Sequence, residues 1–150
     1  MCTSTDWIFI RKFVMSFKPF DLSGKVVLVT GGNSGIGLGM AEGVASAGAN
    51  VCIWGTNIEK NKSAEDQLSQ YGTNVKAFAC DVSDEQAVIS AFKKTLNVFG
   101  KVDACFANAG AGGGAPFLEF PSYIWRRVRV INVDGTCFTL RGAAKHMIDR

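Results

Sequence analysis

Several kinds of site are excluded by what this 150-residue chain lacks. Histidine occurs once, as His146, and the five cysteines (Cys2, Cys52, Cys80, Cys105, Cys137) include no Cys-x-x-Cys pair. A zinc site and a disulfide framework are both disfavoured. Cys52, Cys80 and Cys105 stand in or beside apolar runs, where a free thiol behaves as a small hydrophobe. That usage favours a reducing, cytoplasmic setting. No apolar run is long enough to cross a bilayer. The N-terminal "WIFIRKFVMSF" is broken by Arg11 and Lys12, and Asp6 precedes it where a secretory signal would be basic. Neither a membrane nor a nucleic-acid partner is expected. The net charge is only +3, and the arginines of residues 126–150 lie in an apolar-periodic stretch, as on a solvated helix face. There is no internal repeat, and the only biased tract is a short glycine-rich run at 111–114.

What is present suits one compact domain. Hydrophobic residues make up 47% of the chain and charged residues 19%, enough for a core and too little charge for disorder. Apolar runs alternate with helical patterns. "KVVLVT" (25–30) reads as a strand buried on both faces. Residues 36–47 place Ile36, Met40, Val44 and Ala47 on one helical face, and Gly48 ends that helix. "VCIW" (51–54) reads as a second strand, followed by a helix capped by Asn57 and ended by Gly72. "VKAFAC" (75–80) is a third strand. Ser83 with Gln86 makes a capping-box pattern for a helix with Val88, Ala91, Phe92, Leu96 and Phe99 as its buried stripe. "VDACFA" (102–107) is a fourth strand, and after Pro121 one last helix runs from about 122 to the end. Strands separated by helices imply right-handed crossovers and a doubly wound parallel α/β sheet.

"TGGNSGIG" (30–37) joins the first strand to the first helix. Glycines there let the backbone turn and approach a phosphate, and the helix N-terminus offers N–H groups and a positive dipole end. It is not a P-loop, because Leu38 follows Gly37 where Lys and Ser or Thr would stand. It is not Gly-x-Gly-x-x-Gly either, because Gly35 and Gly37 are followed by Met40 in the place of the third glycine.

The pattern Thr30-Gly31-x-x-x-Gly35-x-Gly37 resembles the short-chain dehydrogenase/reductase family, and the resemblance extends over residues 17–150. Asp81 and Val82 follow the third strand, Asn108-Ala109-Gly110 ends the fourth, and Asn132 lies in "VINVDG". The resemblance implies a Rossmann sheet of four strands in order 3-2-1-4, incomplete at its C-terminal side. It implies NAD(P) bound by Gly31, Asn33, Ser34, Gly35, Ile36, Gly37, Thr56, Asp81, Val82, Asn108, Ala109 and Gly110, with Asn132 as the catalytic asparagine. Residue by residue, plainer readings stand beside it: a tight loop at 30–37, a helix-approach cap at Asp81, strand-end hydrogen bonding by Asn108, a solvent-facing Asn132. Tyr71, Tyr123, Trp125 and His146 read as packing residues.

The nicotinamide cofactor is not resolved between its two forms. An acid at the end of the second strand, about 18–20 positions past the glycines, would bond the ribose 2′-OH and repel a 2′-phosphate. Gly55 holds that place, so NADP is not rejected, and Lys60 and Lys62 are near in sequence. The balance leans to NADP. The family's Tyr-x-x-x-Lys pair is missing: Tyr71 is followed at that spacing by Val75 and Tyr123 by Arg127. The expectation is the N-terminal part of an oxidoreductase acting on a small-molecule alcohol or ketone of sugar-acid, polyol or 3-oxoacyl type, inactive as written and homo-oligomeric at full length. The alternatives are a non-catalytic NAD(P)-binding module or a non-functional fragment. Residues 1–16 read as an N-terminal extension, with Met15 as the natural start. The fourth strand is expected at an exposed sheet edge, and the last helix should bury Trp125, Val128, Ile131, Leu140 and Met147 only in part.

Overall fold

The computed structural model describes residues 18–150, so the expected extension at 1–16 lies outside the described residues. Four strands form one parallel sheet: β1 (Val26–Thr30), β2 (Asn50–Gly55), β3 (Val75–Ala79) and β4 (Ala104–Phe106). Their order is β3-β2-β1-β4, as expected, with β4 at one edge. Leu28 pairs with Cys52 on one side and Cys105 on the other. The intervening helices are α1 (Gly35–Ser46), α2 (Ile58–Ser69) and α3 (Glu85–Phe99).

Alternation along the strands divides the core into two layers. Val27, Val29, Val51 and Ile53 face α1 and α2, packing on Ala41, Ala45, Ala64 and Leu68. Leu28, Cys52 and Trp54 face the opposite way, onto Val88, Ala91 and Phe92 of α3. β1 is buried along its whole length, which is why it reads as an unbroken β-branched run. Asn57 caps α2 by accepting from the Lys60 N–H at 2.8 Å. Gly72 and Gly100 take positive φ (78° and 73°) where α2 and α3 have ended.

Three local expectations are corrected. The buried face of α1 is Gly37, Ala41 and Ala45, whereas Ile36 is 77% exposed and Met40 is exposed too; Val44 and Ala47 are half-buried. Small residues at that spacing let the helix lie close on the sheet. The cap of α3 is Asp84, whose Oδ1 accepts from the Gln86 and Ala87 N–H groups; Ser83 stands one residue before the cap position, and its hydroxyl donates to Asp81 Oδ1. β4 begins two residues later than the apolar run, since Asp103 meets β1 partly through its side chain: its N–H donates to Val26 O, and the Val26 N–H donates to its carboxylate at 2.9 Å.

After β4, α4 (Ser122–Arg129) passes into a π-helical turn (Val130–Asp134) and on into α5 (Gly135–Ile148). The expected single helix is thus interrupted by a wider turn. The π turn rephases it, so that Asn132 meets Ala111 while Gly135 lies against Val82, where a Cβ would stand 3.0 Å from the Val82 carbonyl oxygen. Ala143 joins the α3 layer, but Trp125 is 61% exposed and Leu140 is exposed as well. Among the described residues no helix is long and apolar enough to cross a membrane.

Asp103 ties β1 to the end of the chain. Burial pushes its carboxyl up, but the Val26 N–H, Lys101 (3.0 Å) and Arg150 (3.0 Å) outweigh that and hold it down at about 2. Its folded value lies below the ordinary 3.8. The stabilisation is therefore present above pH 4 and lost as pH falls toward 2. Asp103→Asn should cost about 1 kcal/mol at pH 7, allowing for solvent screening. It should also flatten the fall in melting temperature between about pH 4 and pH 2. Thermal melts across that range check it, and an unchanged acid slope would contradict this account of Asp103.

Candidate cofactor site

The C-terminal ends of the strands open into a cleft of ≈680 Å³. The turn after β1 forms one wall. Gly31 (φ 65°) and Gly35 (φ 55°) take left-handed conformations that L side chains rarely adopt. Gly37 is packed so closely that a Cβ would overlap the Gly31 carbonyl oxygen and Asn108 Nδ2. The turn is anchored to its neighbours on both sides. The Gly31 N–H donates to Trp54 O at 2.7 Å, Asn108 Nδ2 donates to Thr30 O at 3.0 Å, and the Ala109 N–H donates to Thr30 Oγ1 at 2.9 Å. Asn108 thus satisfies strand-end backbone and also props the glycine turn.

α1 begins in this wall. Its N-cap, Ser34, is extended and makes no side-chain cap, unlike Asn57 on α2 and Asp84 on α3, and there is no acid in its first turn. The uncapped N–H groups and the positive end of the helix are left for an anion. A turn that excludes Cβ atoms, leading into an uncapped helix N-terminus, fits the pyrophosphate of a dinucleotide.

The sequence-derived residues are largely gathered here. Gly31, Asn33, Ser34, Ile36 and Gly37 line the cleft from the β1 side, Thr56 from the end of β2, Asp81 and Val82 from the end of β3, and Asn108, Ala109 and Gly110 from the end of β4. Gly35 borders instead a smaller adjoining hollow of ≈270 Å³, together with Asn33, Ser34 and Lys60. Asp81 Oδ1 is engaged by the Ser83 N–H (2.9 Å) and hydroxyl (2.7 Å), which fixes the carboxylate at the cleft rim. Asn132 does not line the cleft. Its amide pairs with the Ala111 backbone in both directions, at 2.8 and 2.9 Å, and so shapes the loop that does.

Sequence reasoning passed over Cys80, Ala111, Arg127 and Ile131, which also line the cleft. Only Arg127 could have been noticed, as a cation five residues before Asn132; the others are apolar and become site residues through the fold alone. Lys60 and Arg127 are the cations of the cleft and Asp81 its carboxylate, whereas Lys62 does not reach it. A second cleft of ≈640 Å³, between α3 and α5, is apolar around Val88, Phe92, Leu96 and Phe138 and offers no such cradle. Among the described residues no group of His, Cys, Asp or Glu could hold a metal ion. Burial pushes the thiols of Cys52 and Cys105 up to about 12 and that of Cys80 to about 11, so Cys80 sits in the cleft as an inert thiol.

A parallel sheet in this order, with a glycine turn feeding a helix N-terminus, defines a Rossmann-type nucleotide-binding fold. Comparison with known proteins takes the assignment further. The sequence model of the short chain dehydrogenase family matches residues 25–150, and the chain belongs to that family. It is 37% identical over 131 residues to the gluconate 5-dehydrogenase of Gluconobacter oxydans (strain 621H), covering 87% of this chain and 51% of that protein. It is 34% identical over 134 residues to the 2-dehydro-3-deoxy-D-gluconate 5-dehydrogenase of Pseudoalteromonas atlantica (89% and 53%). Among solved structures, an NAD+-bound xylitol dehydrogenase superposes with a TM-score of 0.83 at 36% identity, over 85% of this chain and 50% of that one. The chain spans about half the length of the curated relatives it matches.

Proposed function

We propose that this chain is the cofactor-binding part of an NAD(P)-dependent oxidoreductase that moves a hydride between the nicotinamide and the carbon of an alcohol or ketone. The observation that carries the reading is the Cβ-excluding turn at Gly31–Gly37 opening onto the uncapped N-terminus of α1. When bound, the nicotinamide supplies the hydride chemistry. The chain's own residues bind and orient. On this reading the amides of the turn and of α1 hold the pyrophosphate, Asp81 and Val82 border the adenine, and Ala109 and Gly110 form the floor between the two halves. On the same reading Asn132 serves the reaction centre from outside the cleft, through the loop at Ala111 that its side chain holds.

The lean is to NADP. The end of β2 carries no acid to repel a 2′-phosphate, and Lys60 lines the cleft near it. Relatives named for gluconate and xylitol support a sugar acid or polyol as substrate, with a 3-oxoacyl compound as the other candidate. The free, buried thiols support a cytoplasmic setting. Residues 17–150 would form the NAD(P)-binding domain, and homo-oligomerisation is proposed for the full-length relatives. Titrating the 150-residue chain with NADPH and with NADH, followed by the cofactor's fluorescence, tests the binding. Both should saturate, NADPH at least as tightly; no saturable change up to about 1 mM of either would overturn the reading.

A further inference from the structure

Asn61, on the first turns of α2, has no place in the glycine motif, yet it is a polar side chain only 4% exposed. Its hydrogen bonds define how it lies. Asn61 Nδ2 donates to Gly55 O at 2.9 Å and to Phe78 O at 3.2 Å. Both partners are carbonyls and can only accept, so the amide orientation is determined: nitrogen toward the strand ends, oxygen away from them. That oxygen accepts from Asn33 Nδ2 at 2.7 Å. Asn33 in turn can present only its nitrogen to Asn61. One buried side chain thereby locks the rotamer and the flip of a residue in the glycine turn.

The location of this pair gives it a role. A Cβ built on Gly55 would overlap Asn33 Nδ2 and stand 2.6 Å from Asn61 Oδ1. The two amides therefore fill the place from which a side chain at the end of β2 would extend. In dinucleotide folds that side chain meets the 2′ position of the adenosine ribose. Here residue 55 has none, and Asn33 lines the cleft in its stead.

We propose that Asn61 is a positioning residue: it holds the Asn33 carboxamide where a side chain of residue 55 would lie, and Asn33 there contacts the 2′ position of the adenosine ribose. The proposal rests on the NAD(P) reading of the cleft. An uncharged amide can bond a hydroxyl and does not repel a phosphate, so the device suits either cofactor.

The test measures binding of ADP and of 2′-deoxy-ADP by calorimetry to the 150-residue chain, to Asn33→Ala and to Asn61→Ala, with an NADPH titration of each. The unaltered chain should prefer ADP by about tenfold, the effect of one hydrogen bond to a hydroxyl. Both variants should lose that preference while keeping their affinity for 2′-deoxy-ADP, a selectivity that a general loosening of the fold would not produce. If Asn33→Ala keeps the preference, the proposal is wrong; because both residues are required, that variant decides the matter even if Asn61→Ala does not fold. If Asn33→Ala loses the preference and a folded Asn61→Ala keeps it, the positioning role is wrong. If the unaltered chain binds NADPH but does not distinguish the two nucleotides, the proposal fails and the cofactor reading stands. If it binds no nucleotide, both fail.

Discussion

Gly37→Ala should weaken NADPH binding by about a hundredfold or more, which is about 2.7 kcal/mol. The added Cβ would overlap the carbonyl oxygen of Gly31 and Nδ2 of Asn108. Neither can yield freely. Gly31 is tied to β2 through its own N–H on Trp54 O, one residue's backbone from the carbonyl in question, and Asn108 Nδ2 is tied to Thr30 O. The glycine turn would have to move away from α1, separating the loop amides from the helix N-terminus that must meet the same phosphates. Gly39, two residues on, is the control. It is exposed, and a Cβ there meets nothing within 4 Å. Gly39→Ala should leave binding unchanged and raise stability by about 0.5–1 kcal/mol, as expected of removing a glycine from a helix interior. Titration of both variants with NADPH gives the comparison. If Gly37→Ala binds within about threefold of the unaltered chain, the phosphate site is not at this turn.

The contrast between the two glycines also shows what the sequence made legible. The turn was readable because its requirement is local: positive φ at Gly31 and Gly35 and a helix that starts within five residues. β1 and β2 were readable because burial on both faces demands continuous apolar runs. The face of α1 was misread for a related reason. Periodicity weights large side chains, and Ile36 and Met40 share the helical spacing, but contact with the sheet belongs to Gly37, Ala41 and Ala45, whose virtue is being small. Ser83 lost the α3 cap to Asp84 because the helix starts at Glu85, which puts Asp84 and not Ser83 at the cap position, a one-residue boundary that the spacing does not show. Asn61 was invisible altogether. Its partners are the ends of two strands and a loop residue 28 positions earlier, so only the assembled sheet gives it a role.

Trp54→Ala should destabilise the chain by about 3–5 kcal/mol, the usual range for removing a large buried aromatic. Trp54 is fully buried near the end of β2. Its ring meets Phe92 edge-on, with centroids 6.0 Å apart and planes at 86°, and its Nε1–H donates to Thr95 Oγ1 at 3.1 Å. The truncation would empty the middle of the layer between the sheet and α3. A domain of ordinary stability has about 5–15 kcal/mol in all, so the loss would be a large share of it. The melting temperature should fall by about 10–20 °C. Trp54→Phe should cost much less, because it refills most of the volume and Thr95 keeps its own donation to Ala91 O at 2.9 Å. The consequence reaches the cleft through the backbone. The carbonyl of Trp54 receives the Gly31 N–H at 2.7 Å, so the same residue that closes the core also anchors the glycine turn. NADPH should therefore raise the melting temperature of the unaltered chain and of Trp54→Phe, since a ligand that binds only the folded state stabilises it. Thermal melts with and without NADPH test both halves of the argument. A Trp54→Ala chain melting within a few degrees of the unaltered one would mean that this layer does not hold the sheet to α3.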